Sequence, residues 1–410
     1  MTIAFLKIII VSIINNPLVE AMKTYKQLFR FFLVIILPFV LNYAQGKKKN
    51  AEEVYKFEMV HQVKTTPVKN QGKTGTCWSF ATTSFIETEL LRIGKGEHIL
   101  STMWNVRFAY PKKALNYVRL SATSNLGVGG QAHDVMNVIR EYGMVPEETY
   151  RGMNIGEEDH NHGEMDAVLK ASIDAVTKNK GGKITPAWPK VVESILNIYL
   201  GTPPREFTYL GRKFTPKSFV DSLGFHPDDY IELTSYTHHP FYSKFILEIP
   251  DNWSREDYYN IPMNELIHLI DTSLALGYSV LWDGDTSEKS FDRKKGLAII
   301  PQVEEQEKPG EEKDADKQEE PVKEKFITQE MRQDAFDNQT TTDDHLMHIT
   351  GLARDQRGYK FYYVKNSWGT KDKKYDGYWY MSEIYARLKT VAVMVHKDVL
   401  PVWLKQKLSL

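Results

Sequence analysis

The chain of 410 residues contains a single cysteine, Cys77. One thiol excludes an intramolecular disulfide, a cysteine-rich zinc cluster and an iron–sulfur site. That cysteine is either a small buried hydrophobe or a group kept for its reactivity. A bilayer-spanning run is also lacking near the N-terminus: the apolar stretch Phe31–Leu41 has 11 residues, too few to cross. Charge of one sign is not in excess, with 52 Lys+Arg against 53 Asp+Glu. The even balance leaves no electrostatic footprint for nucleic acid or an anionic surface. A hydrophobic content of 42% with 26% charged residues fits a globular chain rather than a disordered one.

Lys23, Lys26 and Arg30 precede Phe31–Leu41, and the small residue Ala44 follows shortly after. A basic flank, a short apolar core and a small residue form the pattern of a secretory signal. The expectation is a signal over residues 1–44, with Met22 as an alternative start that would leave 1–21 untranslated. Export without any disulfide points to a bacterial periplasm or secretion from a bacterium. The competing expectation is an uncleaved N-terminal membrane anchor.

Residues 45–56 are rich in Lys and Glu and read as a flexible leader. One domain is expected over 57–400. In 57–155, Trp78, Ala81 and Phe85 recur at helical spacing behind Cys77, and Asp134 to Tyr142 forms a further helix ended by Gly143. Residues 156–270 read as an insertion with helices over 190–200 and 262–276. From 271 to 400 the signal changes to short β-branched and aromatic runs: 278–281, 349–353, 360–364, 378–381 and 391–395. The fold class is therefore α+β, helical first and β-rich last. Val303 to Lys325 has no aromatic residue and is dominated by Glu and Lys, which predicts a disordered surface loop whose deletion changes little. Residues 401–410 form a C-terminal tail.

The chemistry concentrates in Asn70-Gln71-Gly72-Lys73-Thr74-Gly75-Thr76-Cys77-Trp78-Ser79-Phe80-Ala81. A glycine-containing loop delivers Cys77 to the first turn of a helix, where the dipole favours the thiolate and lowers the cysteine pKa. Gln71 can swing its amide back beside the sulfur and, with the Cys77 N–H, hold an oxyanion. A nucleophilic thiol needs a base and the base an orienting partner. Asp344-His345 and Asn366-Ser367-Trp368-Gly369 supply both, across a hairpin turning at 355–358. With an even-numbered turn centred between 356 and 357, facing residues sum to 713. Asn366 then faces Met347, His345 shares that face and His348 points the other way. Trp368 would cover the His–Asn hydrogen bond.

These segments resemble the papain superfamily of cysteine peptidases. The resemblance implies a papain-like fold, with nucleophile Cys77 in the helical half, base His345 and orienter Asn366 in the β-rich half, and Gln71 at the oxyanion. It also implies that Gly129 and Gly130 bind the substrate backbone two residues before the cut, with Trp368 and Asp344 beside the substrate. No cofactor and no metal are expected; the partner is a peptide or protein substrate, not nucleic acid, and the oligomeric state is left open. Position 74 is Thr where ordinary members carry a disulfide cysteine, and His345 follows Cys77 by 268 positions, about 130 more than the usual spacing. Both features resemble the bleomycin hydrolase/aminopeptidase C branch, as do Trp104-Asn105-Val106 and Val128 to Gly143. The resemblance implies an aminopeptidase or an endopeptidase. In that branch the C-terminus lies in the cleft and enforces aminopeptidase action. Here Trp403-Leu404 and Leu408 read as a short helix packed on the body, which favours an open cleft and endopeptidase action. The alternatives are a non-hydrolytic binding module with this fold and an acyl transferase using the same thiol.

Overall fold

The computed structural model describes residues 54–179, 181–303 and 320–410. The expected signal, most of the leader and positions 304–319 lie outside the described residues. The described residues 55–303 and 321–410 form one compact unit.

In chain order the elements are β1 (Phe57–Gln62), α1 (Cys77–Arg92), α2 (Thr102–Arg119), α3 (Ala132–Tyr142), α4 (Gly163–Thr177), α5 (Trp188–Leu200), β2 (Phe207–Tyr209), β3 (Arg212–Phe214), α6 (Pro216–Leu223), β4 (Tyr230–Thr234), β5 (Lys244–Ile246), β6 (Asp257–Asn260), α7 (Met263–Ala275), β7 (Val280–Gly284), β8 (Phe291–Asp292), β9 (Leu297–Ala298), α8 (Gln329–Asp337), β10 (His345–Asp355), β11 (Lys360–Lys365), β12 (Tyr378–Ser382), α9 (Glu383–Lys389), β13 (Thr390–His396) and α10 (Val402–Leu408). The α+β expectation holds, and the five runs read as strands became β7, β10, β11, β12 and β13.

Two findings extend the sequence reading. β1 pairs antiparallel with β10, directly after the expected leader. The 156–270 segment also adds strands: β4, β5 and β6 continue the main sheet, whose order is β5-β6-β4-β13-β7-β10-β11-β12-β9-β8. These strands are three to five residues long, too short for a clear period-two pattern.

The sheet separates two cores because alternate residues of a strand face opposite ways. Leu281, Leu346 and Met394 face the helices, joining Trp78, Phe85, Trp104 and Val135. Trp282, Met347 and Val393 face the other side, joining Leu266 and Ile270 of α7 with Tyr362 and Trp379. α1 lies against the sheet and is buried on nearly every side, so its polar residues need internal partners. Glu87 accepts from Thr66 Oγ1 (2.5 Å) and the Leu100 N–H (2.7 Å). α2 starts at an N-cap, Ser101, whose hydroxyl accepts from the Trp104 N–H at 3.0 Å. The tail is helical as expected: Leu404 and Leu408 of α10 enter the second core, and the Lys407 ammonium lies 3.9 Å from the Tyr242 ring centre.

The sequence-drawn boundary of the acidic loop needs correction at its C-terminal end. The Gln302 N–H donates to Lys323 O (2.8 Å) and the Lys325 N–H to Ile300 O (3.0 Å). Glu324 accepts from the Ile300 N–H (2.7 Å) and the Ser382 hydroxyl (2.6 Å). Burial pushes its carboxyl up to about 7. Deleting 303–325 therefore should lower the melting temperature by several degrees, whereas deleting 304–319 should leave it nearly unchanged. A native state that holds this proton contributes stability below about pH 4.5 that is lost as pH rises through about 7. Glu324→Gln keeps an acceptor without the charge. It should melt close to wild type at pH 5 and above it at pH 8; thermal melts at both values check this.

Candidate active site

Cys77 is the first residue of α1. The loop before it is held from two directions. The Gln71 N–H donates to Ser367 O (2.8 Å), and residue 70 bridges residue 368. From the insertion, Lys73 N–H donates to His160 O (2.8 Å). The Gln71 side chain is oriented at both ends: Oε1 accepts from the Ser367 hydroxyl (2.6 Å) and Nε2 donates to Thr74 O (2.8 Å). An amide nitrogen has two hydrogens, so one remains unused by these bonds.

His345 opens β10, and Asn366 follows β11. His345 Nε2 and Asn366 Oδ1 are 2.8 Å apart. Asn366 Oδ1 also accepts the Ser367 N–H at 2.7 Å, which fixes the amide with its oxygen toward the ring. Nε2 is then the protonated nitrogen, and Nδ1 keeps its lone pair to receive a proton. Trp368 packs on the imidazole, with ring centres 4.7 Å apart. The Arg293 guanidinium lies 4.4 Å from the Trp368 ring centre.

The parity that places His345 arises differently from the sequence assumption. Near the turn, pairs such as Leu352 with Tyr362 sum to 714, because three residues ending at Gly358 (φ +86°) close the hairpin. An irregularity between Ile349 and Gly351 then shifts the register by one. His348 pairs with Lys365 and Ile349 with Val364, both summing to 713. The turn and the shift cancel at the site. His348 is fully buried on the helix-facing side, with Nδ1 3.0 Å from the Ser84 hydroxyl.

Gly130 sits beside Trp78 of α1. A Cβ at Gly130 would come within 2.8 Å of Asp134 Oδ2 and 3.1 Å of the Trp78 ring, and one at Gly129 would collide with the Asp251 carboxylate. Trp78 Nε1 donates to Val128 O at 3.1 Å, and the Lys113 ammonium donates to Gly129 O. The side chain of Asp344 is exposed and engaged elsewhere: it accepts from Thr342 Oγ1 (2.7 Å) and the Thr286 N–H (3.2 Å).

The expected lowering of the cysteine pKa is corrected. Burial, with Asp251, Asp283 and Asp343 nearby, pushes the Cys77 thiol up to about 12, outweighing a hydrogen bond with the Leu346 backbone. Burial pulls His345 down to about 4, against the Asn366 hydrogen bond. Burial thus opposes the charged form of both groups. Only 8% of Cys77 and 5% of His345 is exposed. Three of the surrounding carboxylates went unremarked in the sequence. Asp283 carried the one available signal, an acid directly after the apolar run Val280-Leu281-Trp282; the strand it ends in is buried throughout.

Among the described residues, one group has metal-ligand composition, His238, His239 and Glu248. Gln333 Oε1 accepts the Thr237 N–H (2.5 Å), so Nε2 points at His238 Nδ1 (3.0 Å). That leaves the proton of His238 on Nε2, the atom facing Glu248, which is the wrong tautomer for ligation there.

A helical domain bearing a buried cysteine against a strand domain bearing a His–Asn pair defines a cysteine peptidase of the papain superfamily. The chain belongs to the Peptidase C1-like family, which it matches over residues 116–409. Its curated relatives include aminopeptidase G of Lactobacillus delbrueckii subsp. lactis, 23% identical over 83% of both chains, and aminopeptidase W of the same organism, 24% identical over 83% of both. Among solved structures, pepw from Lactobacillus rhamnosis shares the fold with a TM-score of 0.68 and 18% identity, over 95% of this chain and 94% of that one.

Proposed function

We infer that this chain is an exported thiol aminopeptidase working through Cys77, His345 and Asn366. The Cys77 sulfur attacks the scissile carbonyl as His345 Nδ1 takes its proton; the imidazolium then protonates the leaving amine. Asn366 holds the ring, and Gln71 with the Cys77 N–H stabilises the oxyanion. The observation that carries the reading is the His345 Nε2–Asn366 Oδ1 pair under Trp368, whose orientation frees Nδ1. Aminopeptidase rather than endopeptidase action is supported by the names of the relatives and by Asp251, seated against Gly129, where a longer substrate would have to pass. This reverses the preference drawn from the tail alone. Export rests on the Lys23 to Ala44 pattern; no helix among the described residues is long and apolar enough to cross a membrane.

Because Cys77 is the only cysteine, iodoacetamide should add one adduct and extinguish hydrolysis of an aminoacyl coumarinamide in proportion. Full turnover by the singly alkylated protein would overturn the mechanism. N-terminal sequencing of the secreted or periplasmic protein tests export: a mature start near residue 45 supports it, and retention of residues 23–44 in the cytoplasmic fraction defeats it.

A further inference from the structure

The mechanism gives the two halves of a substrate different neighbours. The acyl half stays on Cys77, while His345 protonates the leaving amine, so the leaving segment starts at the imidazole. Trp368 packs on that imidazole with ring centres 4.7 Å apart and is only partly buried. The Arg293 guanidinium lies 4.4 Å from the Trp368 ring centre. The two separations put the guanidinium within about 9 Å of the imidazole, a span that three extended residues cover.

Arg293 is placed there by a braced turn. Asp292 Oδ1 accepts the N–H groups of Lys294 (2.8 Å) and Lys295 (2.9 Å), and the Gly296 N–H donates to Asp292 O (2.9 Å). Before the turn, buried Phe291 stacks on Trp379 with ring centres 5.9 Å apart and stands T-shaped to Trp368 at 6.1 Å. After it, Gly296 has φ +62°, and a Cβ there would come within 2.7 Å of the Tyr375 ring. The turn is thus seated on the aromatic cluster that covers the His345–Asn366 pair.

The Arg293 side chain is exposed and, among the described residues, has no carboxylate partner. The acids nearest in sequence are engaged elsewhere: Asp292 braces the turn, and Glu288 pairs with Lys389 at 2.7 Å. Lys294 and Lys295 are exposed beside it. A guanidinium stacked on an aromatic face keeps its N–H edge open, in a fork that matches a carboxylate.

We propose that Arg293 selects the leaving side of the substrate by binding a carboxylate just after the cut, either an Asp or Glu side chain or the free C-terminus of a short peptide. The proposal rests on the aminopeptidase reading above and names the substrate class it favours. Lys294 and Lys295 add a field of the same sign, so a basic residue after the cut is disfavoured.

The test compares initial rates of hydrolysis within two pairs: Ala-Glu-Ala-amide against Ala-Gln-Ala-amide, and Ala-Ala against Ala-Ala-amide. The first pair reads the side chain and the second the terminus. Each rate is taken relative to turnover of alanyl coumarinamide, whose leaving group carries no carboxylate, so a general loss from disturbing Trp368 cancels. Wild type should prefer the carboxylate-bearing member of at least one pair by about five- to tenfold in kcat/KM, mostly through KM. Raising the salt to about 0.5 M should shrink that preference. Arg293→Ala should bring it to about one, and Arg293→Lys should retain part of it. Arg293→Glu should reverse it, favouring Ala-Lys-Ala-amide over Ala-Glu-Ala-amide. A merely structural role would slow all the peptides together and reverse nothing. Equal rates within both pairs in wild type, or a preference that survives in Arg293→Ala, would overturn the role of Arg293 and leave the aminopeptidase reading standing. No hydrolysis of any of these substrates by wild type would defeat both.

Discussion

Cys77→Ala should lower peptide hydrolysis by about 10⁴-fold or more while the melting temperature stays within a few degrees of wild type. The loss is large because a covalent mechanism has no substitute nucleophile: only binding and the oxyanion donors remain. The fold should survive because the change removes one buried sulfur at the first turn of α1, whose packing rests on Trp78, Phe85, Ile86 and Leu90. Fluorogenic turnover and a thermal melt of the same preparation check both halves. Near-wild-type turnover would remove Cys77 from the mechanism and restore the binding-module alternative.

His345→Ala should have the second largest effect, a loss of about 10²–10⁴-fold in kcat, whereas His348→Ala should cost stability and little activity. The two histidines are three residues apart on β10 but face opposite sides. His345 is held by Asn366 and covered by Trp368; His348 packs against Phe85 with Ser84 on its Nδ1. The pH dependence of alkylation by iodoacetamide separates them. Wild-type reactivity should persist to about pH 5 and fall as His345 gains a proton near 4. Without His345 the thiol has no base. Its own ionisation lies near 12, so the rate should be low at neutral pH and climb about tenfold per pH unit. If His348→Ala instead loses the low-pH reactivity, the assignment of the base is wrong.

The site was legible because its parts are local. A glycine-bearing loop ahead of a helix, an Asp-His pair and an Asn-Ser-Trp-Gly segment each carry their chemistry in a few consecutive residues. The hairpin parity was right at the site for a reason the sequence did not contain. The turn closes half a residue off the assumed centre, so facing residues slip by one, and the shift between Ile349 and Gly351 restores the register. Such irregularities leave little trace in side-chain pattern, because one extra residue changes only which face follows.

The sequence by itself determined the family and class of chemistry and the order of helical and β-rich halves, and it carries the local segments from which the four proposed site residues are read. Apolar periodicity and turn residues suffice for that, since both act over a few positions. Tertiary structure alone decided the electrostatic surroundings of the site. Asp251, Asp283 and Asp343 lie far from Cys77 in the chain and come within its electrostatic reach because β7 and β10 are neighbours in the sheet and Asp251 of the insertion lies against Gly129. A helix terminus read in isolation favours a thiolate, but burial and nearby carboxylates oppose it. Burial and distant charge are properties of the assembled fold, and no short window of sequence contains them.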